Sequence, residues 1–406
     1  MALHHGLLSV ARIYLDAWGM KDECGITRYI RNVIPPLLDR LDGHEVIIIR
    51  SDTRWRESPI QTGGRAIEVG VGRRWTDMAN VLSRPTLESS FRRHGRPDLY
   101  HSFFHLLPLG IKRGQRGAAA VVITLHDFIW IDYADYVSNR WIQAEFLRRF
   151  ASAALPYALR TADRVICNSA ATARRAHDWI PEEATSVVHM GLDPVFFETV
   201  NTKVRALPQA ADPAFRYVAA IAVKKRYKNL ATLIDAFAAA RRALGEGHLV
   251  LMGDCRGIAE KAAAAGIADA VTMTGRVSDE EMRAIFARAD LFVLPSIVEG
   301  FGLPVLEAMA SGAPVAVSDA AALTEVAGDA ALQFPARDVQ ALADLIARVW
   351  RSPELRLRLR EQGRQRAATF SWSRAAAETV AVYGALLIGV GPAEAGPHVL
   401  SQRFGT

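Results

Sequence analysis

The chain has 406 residues, of which half are apolar and 23% are charged, with 29 Gly and 18 Pro. This length exceeds one ordinary core and predicts two to three domains, and the composition excludes a disordered, collagen-like or disulfide-scaffold protein. The cysteines Cys24, Cys167 and Cys255 are scattered, which is typical of a reducing compartment. No cleavable leader is evident, and no apolar run approaches the roughly 18 residues of a membrane span. We therefore expect a soluble, cytoplasmic protein.

The formal net charge of +6 and the pI near 9.3 raise the question of nucleic-acid binding. The first 200 residues carry 25 Lys/Arg and 22 Asp/Glu, and the remainder carries 24 and 21, so the surplus is evenly spread. There is no basic tail and no run of five like charges. This distribution argues against a nucleic-acid partner and fits a protein that handles anions or touches an acidic membrane surface.

Short, nearly continuous apolar runs, each followed by a helical pattern, fill the first half of the chain. Such runs are typical of parallel strands that are covered on both faces. They predict strands over Leu7–Leu15, Val46–Arg50, Asp98–Ser102, Ala119–His126, Arg164–Asn168 and Ser186–Met190. Residues 51–97 are weakly patterned, and we interpret them as loop with one helix.

The pattern lapses over residues 193–214, where three prolines predict an interdomain connection. A second series follows, with predicted strands Tyr217–Val223, Leu249–Met252, Val271–Thr274, Leu291–Leu294, Pro314–Val317 and Ala331–Phe334. Helical patterns separate and follow these strands, near 229–244, 257–265, 279–289, 304–311, 338–350, 353–368 and 373–388.

Strands that alternate with helices form βαβ units and a mostly parallel sheet. Two such series predict an α/β chain with two doubly wound, Rossmann-like domains that face each other across a cleft. We place the first domain at 1–200, the second at 201–372 and a final helix at 373–388. The tail 389–406 has no periodicity, and we expect it to be disordered.

The most informative segment is LFVLPSIVEGFGLPVLEAMASGAPVAVSD at Leu291–Asp319. A strand runs into a glycine-containing loop, and Pro304 suits the first turn of the next helix. Three backbone N–H groups would then lie at a helix N-terminus, ready for an anion, namely those of Phe301, Gly302 and Leu303. A lone carboxylate there often only compensates the helix dipole. Two of them, Glu299 and Glu307, flank this loop at a strand's carboxyl end and indicate a ligand crevice.

The spacing of Glu299 and Glu307 within PSIVEGFGLPVLEAMASGAPV resembles the signature of the retaining GT-B glycosyltransferases of family four, the glycosyl transferases group 1. The resemblance spans most of the chain, from residue 7 to 388. It implies that Glu299 contacts the donor sugar, that Glu307 holds the ribose hydroxyls, and that the amides between them bind sugar and phosphate. It also implies a nucleotide-sugar site in the second domain, an acceptor site in the first, and a final helix that packs back on the first.

Two places in the first half support the resemblance. Gly25-Ile26-Thr27-Arg28-Tyr29 is similar to the family's Gly-Ile-Gly-Arg-Tyr segment, so a helix N-terminus at Gly25 would face the diphosphate. Thr27 stands where the second glycine is usual, and a plain turn glycine is the alternative. Thr124-Leu125-His126-Asp127 closes a strand, and the resemblance places His126 at the donor hexose. A structural histidine is the alternative, and Asp127 is expected to cap the following segment.

The segment YVAAIAVKKRYKNL at Tyr217–Leu230 aligns Lys228 with the family's diphosphate-binding lysine, and a point cation suits phosphate oxygens. Ala222 and Arg226 replace the usual glycine and proline. The family's arginine has no clear counterpart, which leaves three candidates for it, Lys224, Lys225 and Arg226. A solvated lysine cluster is the alternative. Arg276 follows a strand in the loop whose backbone, by resemblance, reads the nucleotide base.

The chain lacks a G-x-G-x-x-G after its first strand, a P-loop and an Asp-x-Asp motif. We predict a glycosyltransferase that moves a hexose from a nucleotide-diphosphate sugar to a hydroxyl acceptor, with no metal and no other cofactor. The resemblance implies retention of configuration, whereas inversion would need a general base, for which His126 and Asp127 are candidates. The alternatives are a sugar-nucleotide epimerase of the same fold and a non-catalytic nucleotide-sugar-binding protein.

Two observations narrow the chemical class of the donor and of the acceptor. The Gly-Ile-x-Arg-Tyr and Leu-His-Asp motifs are similar to those of mannosyltransferases of surface-polysaccharide assembly, which favours GDP-mannose and a saccharide or lipid-linked acceptor. Residues 138–160 interleave apolar and basic side chains in one helical stretch: Trp141, Phe146, Phe150 and Leu155 with Arg140, Arg148, Arg149 and Arg160. Such a helix can lie in a membrane interface, so peripheral contact with the inner face of a membrane is one hypothesis, and a core helix is the other.

Overall fold

Two parallel β-sheets organise the chain in the computed structural model. It describes residues 10–18, 25–51, 60–71, 84–109, 111, 119–138, 140–200, 207, 212 and 214–387. Cys24 and the predicted tail 389–406 lie outside these residues. Within the described part, no helix is long and apolar enough to cross a membrane.

The first sheet has the order β3-β2-β1-β4-β5-β6-β7, and every neighbouring pair is parallel. Its strands are β1 (Arg12–Asp16), β2 (Glu45–Ser51), β3 (Ile67–Val71), β4 (Leu99–Ser102), β5 (Ala120–Leu125), β6 (Arg164–Cys167) and β7 (Thr185–Val187). Its helices are α1 (Gly25–Leu38), α2 (Arg84–His94), α3 (Ile129–Asp132), α4 (Ala134–Val137), α5 (Trp141–Thr161) and α6 (Ala170–Ala176). The central strands β4 and β5 are buried along their whole length, which explains their continuous apolar runs.

The second sheet has the order β10-β9-β8-β11-β12-β13 and is also parallel throughout. Its strands are β8 (Tyr217–Ala222), β9 (His248–Gly253), β10 (Val271–Gly275), β11 (Leu291–Leu294), β12 (Val315–Ser318) and β13 (Leu332–Phe334). Its helices are α7 (Leu230–Leu244), α8 (Ile258–Ala264), α9 (Asp279–Arg288), α10 (Leu303–Ala310), α11 (Ala321–Ala327), α12 (Val339–Arg351) and α13 (Pro353–Ala367), and α14 (Trp372–Leu387) follows them.

The strand order reverses once in each sheet, between β1 and β4 and between β8 and β11. At such a switch point the connections leave in opposite directions, which opens a crevice at the carboxyl ends of the strands. The segments that follow β1, β8 and β11 contain Gly25, Lys228 and Glu299 respectively. The fold therefore places three predicted site segments at the two crevices.

The chain returns to the first domain at its end. Leu192 pairs with Ser371 in an isolated parallel bridge, and a Cβ on Gly191 would overlap the backbone of Ser371 and Trp372, so the two crossing segments touch. Helix α14 then packs against α1. The buried Tyr383 hydroxyl of α14 lies 2.5 Å from Nδ1 of His101 in β4, which ties the last helix to the first sheet.

Three details differ from the sequence prediction. Strand β3 is not predicted, because it is the outer strand of the sheet and exposes Ile67 to 42%, so its sequence lacks a continuous apolar run. Helix α11 is not predicted because its seven residues are too few to show a helical period. Strand β7 ends at Val187, three residues before the predicted end, since the chain there leaves the sheet toward the second domain.

Candidate active site

The loop between β11 and α10 is built to present backbone amides. Gly302 is the N-cap of α10 with φ 110° and ψ 48°, a left-handed conformation that favours glycine, and no side chain caps the helix. The side chains of Phe301 and Leu303 are buried, so only their backbone can contact a ligand. The first amides of a helix have no partner within the helix, and such a helix start is suited to an anion.

Glu299 and Lys228 form an ion pair at the switch point of the second sheet. Lys228 Nζ lies 2.6 Å from Glu299 Oε1, and the Ser296 hydroxyl donates to the same oxygen at 2.6 Å. Asn229, which follows Lys228 with φ 58°, donates through Nδ2 to the carbonyl of Pro295 at 3.0 Å. The segment after β8 is thereby fastened to the segment after β11, so the two predicted site residues lie side by side.

Glu307 is nearly fully buried one turn inside α10, and its cation comes from the other domain. Arg28 of α1 forms an ion pair with Glu307 through Nη1 and reaches Asp279 through Nη2 at 2.8 Å. Burial raises the pKa of the Glu307 carboxyl, and the charge of Arg28 opposes that rise. The carboxylate that the resemblance assigns to a ribose is therefore joined across the cleft to the first domain.

The first domain approaches the Glu299 loop at the ends of β5 and β6. A Cβ on Gly300 would overlap the carbonyl oxygen of His126 and come 3.1 Å from Cβ of Asp127. The hydroxyl of Ser169 donates to the carbonyl of Gly300 at 2.9 Å. Only glycine allows so close a backbone contact, and it sets His126 beside Glu299.

His126 is neutral and presents one free nitrogen. Its Nε2 lies 2.9 Å from the carbonyl of Phe103, which only accepts, so Nε2 carries the proton. Burial lowers the pKa of His126 to about 4, although the bond to Phe103 opposes the shift. Its buried Nδ1 has no hydrogen-bond partner among the described residues. This lone pair can accept a hydrogen bond from a ligand hydroxyl, whereas a group with this pKa is a weak general base.

Asp127 caps the following segment, as expected, because its Oδ1 accepts from the N–H of Ile129 at 2.8 Å. It also faces the charged pair of the second domain. Burial raises the pKa of Asp127 to about 6, and the negative charge of Glu299 adds to the rise while Lys228 opposes it. Asp127 is thus the more capable proton acceptor of the two candidates for a general base.

Two family models match the chain: glycosyl transferases group 1 matches residues 209–366, and glycosyltransferase family 4 matches residues 24–196. Together they cover the second sheet, the first sheet except β1, and all the site segments described above. This chain is a group 1 glycosyltransferase.

Curated relatives and solved structures agree with this assignment. The glycosyltransferase is 33% identical over 303 residues to the MMP alpha-(1->4)-mannosyltransferase of Mycolicibacterium hassiacum, covering 72% of this chain and 71% of that protein. It is 28% identical over 361 residues to the GDP-mannose-dependent alpha-(1-6)-phosphatidylinositol dimannoside mannosyltransferase of Mycobacterium tuberculosis, covering 85% and 89%. The structure of sucrose-phosphate synthase from Thermosynechococcus elongatus superimposes with a TM-score of 0.74 at 22% identity, covering 93% of this chain and 100% of that chain. The predicted family, the GT-B fold and the glycosyltransferase assignment are confirmed.

Two further predicted residues of the glycosyltransferase, Gly25 and Arg276, belong to neither charged pair, although Gly25 lies in the same first turn of α1 as Arg28. Gly25 begins α1, is exposed, and has open space where a Cβ would be, so its conformation does not require glycine. Arg276 is exposed at the end of β10, the outer strand of the second sheet, two strands from β8.

Two of the three basic candidates beside Lys228 contact the first domain. Lys225 Nζ donates to the carbonyl of Val137 at 2.9 Å, and the Arg226 guanidinium lies 5.0 Å from the ring centroid of Tyr136. Both contacts are made with α4 of the first domain. Lys224 is exposed.

Arg28 is a functional candidate that the sequence pattern does not single out, although it lies within the Gly-Ile-x-Arg-Tyr motif. A basic residue in the first turn of a helix runs against the helix dipole, and α1 has no acidic residue there to compensate. That mismatch is a signal in the sequence that Arg28 serves a partner outside its own helix. Within the described residues no cluster of three His, Cys, Asp or Glu side chains is placed to hold a metal ion.

Proposed function

We propose that this glycosyltransferase transfers a mannosyl group from GDP-mannose to a hydroxyl of a saccharide or lipid-linked acceptor, with retention at the anomeric carbon. The observation that carries the proposal is the Lys228–Glu299 pair, which lies beside the uncapped N-terminus of α10 and opposite His126. The choice of donor is supported by the names of the relatives, two of which are mannosyltransferases and one of which is GDP-mannose-dependent.

The donor is held by charge and by hydrogen bonds from both domains. Lys228 and the amides at the start of α10 bind the diphosphate. Glu307 accepts hydrogen bonds from the ribose hydroxyls, and Arg28, which neutralises Glu307, supplies a second positive charge beside the diphosphate. Glu299 and the free Nδ1 of His126 bind hydroxyls of the hexose. The hexose thus lies where the two domains meet.

Transfer breaks the bond between the anomeric carbon and the diphosphate oxygen, which keeps the electron pair. Lys228, Arg28 and the helix amides stabilise the charge that develops on that oxygen, and their fixed positions make this effective. The acceptor oxygen forms its bond on the same face of the sugar, and its proton passes to the departing diphosphate. Retention is supported by the lowered pKa of His126, which makes that residue a poor base.

Inversion is the second candidate mechanism, and Asp127 is the observation that favours it. Its raised pKa of about 6 still leaves the carboxyl largely ionised at neutral pH, and it faces the site. Asp127→Asn removes the base without changing the shape of the side chain. An inverting enzyme would lose turnover by about 10²-fold or more in this variant, whereas a retaining enzyme would keep most of it.

The test of the function combines a thermal-shift screen with product analysis. A ligand that binds only the folded state raises the melting temperature, and we expect GDP-mannose to raise it more than UDP- or ADP-sugars do. The product formed from α-linked GDP-mannose should carry an α linkage by NMR. A shift with UDP-sugars alone would contradict the proposed donor, and a β-linked product would contradict retention.

We further propose that transfer requires no divalent metal, since Lys228, Arg28 and the helix amides supply the positive charge. Activity should persist with excess chelator and should not rise when magnesium or manganese is added. Full loss of activity in chelator, restored by either ion, would show that a metal takes part.

The acceptor side is proposed to touch a lipid surface through the start of α5. Trp141, Ile142 and Phe146 are 76%, 65% and 57% exposed, and the exposed Arg140 precedes them. Such a group of large apolar side chains on a helix next to a cation suits a membrane interface. One relative is named for an acceptor that is a phosphatidylinositol dimannoside, which supports a lipid-linked acceptor here.

The structure also shows that some of the apolar and basic side chains of this helix are already buried or paired. Leu155 is buried in the core, and Arg148 and Arg149 are both paired with Glu145. Two of the four arginines in this stretch are therefore paired with a carboxylate, so we expect the exposed apolar side chains to supply most of the binding energy.

Sedimentation with vesicles tests the lipid contact. The protein should bind vesicles of phosphatidylglycerol and phosphatidylcholine at low salt, and Trp141→Ser with Phe146→Ser should abolish binding. Leu357→Ser is the matched control, because Leu357 is 71% exposed in the other domain. Wild-type protein that stays in the supernatant with all vesicles would indicate a soluble acceptor instead.

A further inference from the structure

Glu325 of α11 joins the two domains at a contact that lies outside both the proposed donor site and the proposed acceptor surface. Its carboxylate is 18% exposed and accepts three hydrogen bonds. Two come from the first amides of α6 in the first domain, Ala170 N at 2.7 Å and Ala171 N at 3.0 Å, and one comes from His189 Nε2 at 2.7 Å. A carboxylate of one domain thus caps a helix of the other.

Helix α6 connects this carboxylate to the loop between β11 and α10, which contains Glu299 and is called the donor loop below. Its N-cap is Ser169, whose hydroxyl donates to the carbonyl of Gly300. Gly300 follows Glu299 directly and packs on the backbone of His126. The position of α6 relative to the second domain therefore sets the distance between His126 and Glu299.

His189 provides a second connection to the same loop. Its ring lies 6.0 Å from that of Phe301 and 5.7 Å from that of Phe370, measured between centroids, and the two phenylalanines are 6.0 Å apart. Phe370 directly precedes the segment that crosses back to the first domain. The two groups that Glu325 binds therefore contact two consecutive residues of the donor loop. Helix α6 contacts Gly300 through its N-cap Ser169, and His189 packs near Phe301.

The local charges favour an ionised Glu325. Burial alone would raise the pKa of Glu325, but the hydrogen bonds from His189 and from the amides of Ala170 and Ala171 outweigh it and hold the pKa below its ordinary value. Arg366 of α13 donates to the backbone carbonyls of Glu325 and Val326 at 2.8 Å and 2.9 Å, which fixes the end of α11. The carboxylate is thus held on a rigid support.

We propose that Glu325 is a positioning residue for transfer: by docking the N-terminus of α6 and the ring of His189, it holds Gly300 and Phe301 so that Glu299 faces His126 across the donor hexose. The proposal rests on the proposed function for the identity of the donor. Glu325 itself touches neither the diphosphate site nor the hexose site, so its effect is transmitted through Ser169 and His189.

The test compares Glu325→Gln with Glu361→Gln, an exposed glutamate of α13 that contacts only Gln365 among the described hydrogen bonds. Glutamine keeps the size of the side chain but turns one acceptor into an NH₂ group that faces the amides of α6. We expect kcat to fall at least tenfold in Glu325→Gln while the Kd for free GDP changes less than twofold, because the hydrogen bonds of Glu325 do not involve the GDP-binding residues Lys228, Arg28 and Glu307. Glu361→Gln should match the wild type.

Ser169→Ala provides an independent variant, since it removes the bond to Gly300 without altering Glu325. It should lower kcat with GDP affinity kept, and combined with Glu325→Gln it should add little, since both act through α6. Equal loss of kcat and of GDP affinity in Glu325→Gln would show a merely structural role, and unchanged kcat in both variants would overturn the proposal.

Small-angle scattering separates failure of this inference from failure of the proposed function. Glu325→Gln should have a larger radius of gyration than the wild type, whatever the substrate is. An unchanged radius would overturn the docking role of Glu325. If instead the wild type binds no GDP-sugar and the radius still increases, the docking role stands and the proposed donor is wrong.

Discussion

At the scale of single residues, the site depends on carboxylates that are neutralised by cations from distant parts of the chain. Lys228 precedes Glu299 by 71 residues, and Arg28 precedes Glu307 by 279. A buried carboxylate without a partner is costly, so each cation stabilises the carboxylate beside it. In the proposed function, the same cations bind the diphosphate of the donor.

Replacing Glu299 should separate catalysis from nucleotide binding. Glu299→Ala is expected to lower turnover by about 10²-fold, a loss of about 2.7 kcal/mol of transition-state stabilisation, because the hexose is no longer held. GDP affinity should be kept or increased, since Lys228 is released from its carboxylate. Calorimetry and turnover assays measure both effects. Near-normal turnover would contradict the role of Glu299, and Lys228→Ala, as the opposite case, should weaken GDP binding.

Arg28 should matter for binding more than its place in the first domain suggests. In Arg28→Ala, Glu307 is left buried without a cation and the diphosphate loses one positive charge, so we expect GDP affinity to fall about tenfold, or about 1.4 kcal/mol. Arg40→Ala is the control just beyond the end of the same helix, because Arg40 contacts Ser373 and lies away from the cleft. Calorimetry with GDP measures the difference, and equal affinities in the two variants would argue against Arg28.

At the scale of the elements, the loop from β11 to α10 and the ends of β5 and β6 form one unit. Gly300 contacts the backbone of His126, Ser169 donates to Gly300, and Gly302 starts α10 in a conformation that favours glycine. These contacts fix where the amides of α10 point. The orientation of these amides therefore depends on the junction between the domains and not on the helix alone.

Gly300→Ala tests this junction directly. The added methyl group would overlap the carbonyl of His126, so the domains must separate or the loop must shift. We expect turnover to fall at least tenfold with the fold retained. Gly384→Ala in α14 is the matched control, because its Cβ would meet open space and alanine favours a helix. A fully active Gly300→Ala variant would show that this close approach is not needed for transfer.

At the scale of the whole molecule, buried titratable groups have opposite effects on how the stability of the fold depends on pH. Burial lowers the pKa of His101 to about 3 and that of His126 to about 4. The unfolded chain therefore binds protons below about pH 6.5 that the folded chain does not, and stability falls as the pH drops. Burial raises the pKa of Asp16 to about 6, so this carboxyl makes the folded state gain stability as the pH falls from about 6 to 4.

Single variants should separate these two trends. In His101→Gln, the stability lost relative to the wild type should shrink as the pH falls from 6.5 to 4.5, because the wild type alone carries the cost of a buried unprotonated histidine. In Asp16→Asn, the stability of the wild type relative to the variant should instead increase as the pH falls over the same range. Urea unfolding midpoints at several pH values measure both. Parallel curves for wild type and His101→Gln would contradict the assigned pKa.

Much of this architecture follows from local sequence. The apolar runs of β4, β5 and β11 predict parallel strands because strands buried on both faces must be apolar throughout, and Pro304 with Gly302 predicts the start of α10 because backbone geometry there is a local property. The motifs around His126, Lys228, Glu299 and Glu307 indicate the family through their order along the chain. Edge strand β3 and the short α11 escape prediction, since neither carries enough periodic signal.

The partners of these residues depend on how the two domains are arranged in space. Arg28 pairs with Glu307, and Glu325 caps α6, over separations of 279 and 155 residues. Nothing in a linear pattern relates such positions, because the distance between them depends on how two separately folded sheets are set against each other. Local sequence therefore dictates the strands, the order of motifs and the family of this glycosyltransferase, whereas the cleft, its ion pairs and its interdomain contacts arise only when the two domains meet.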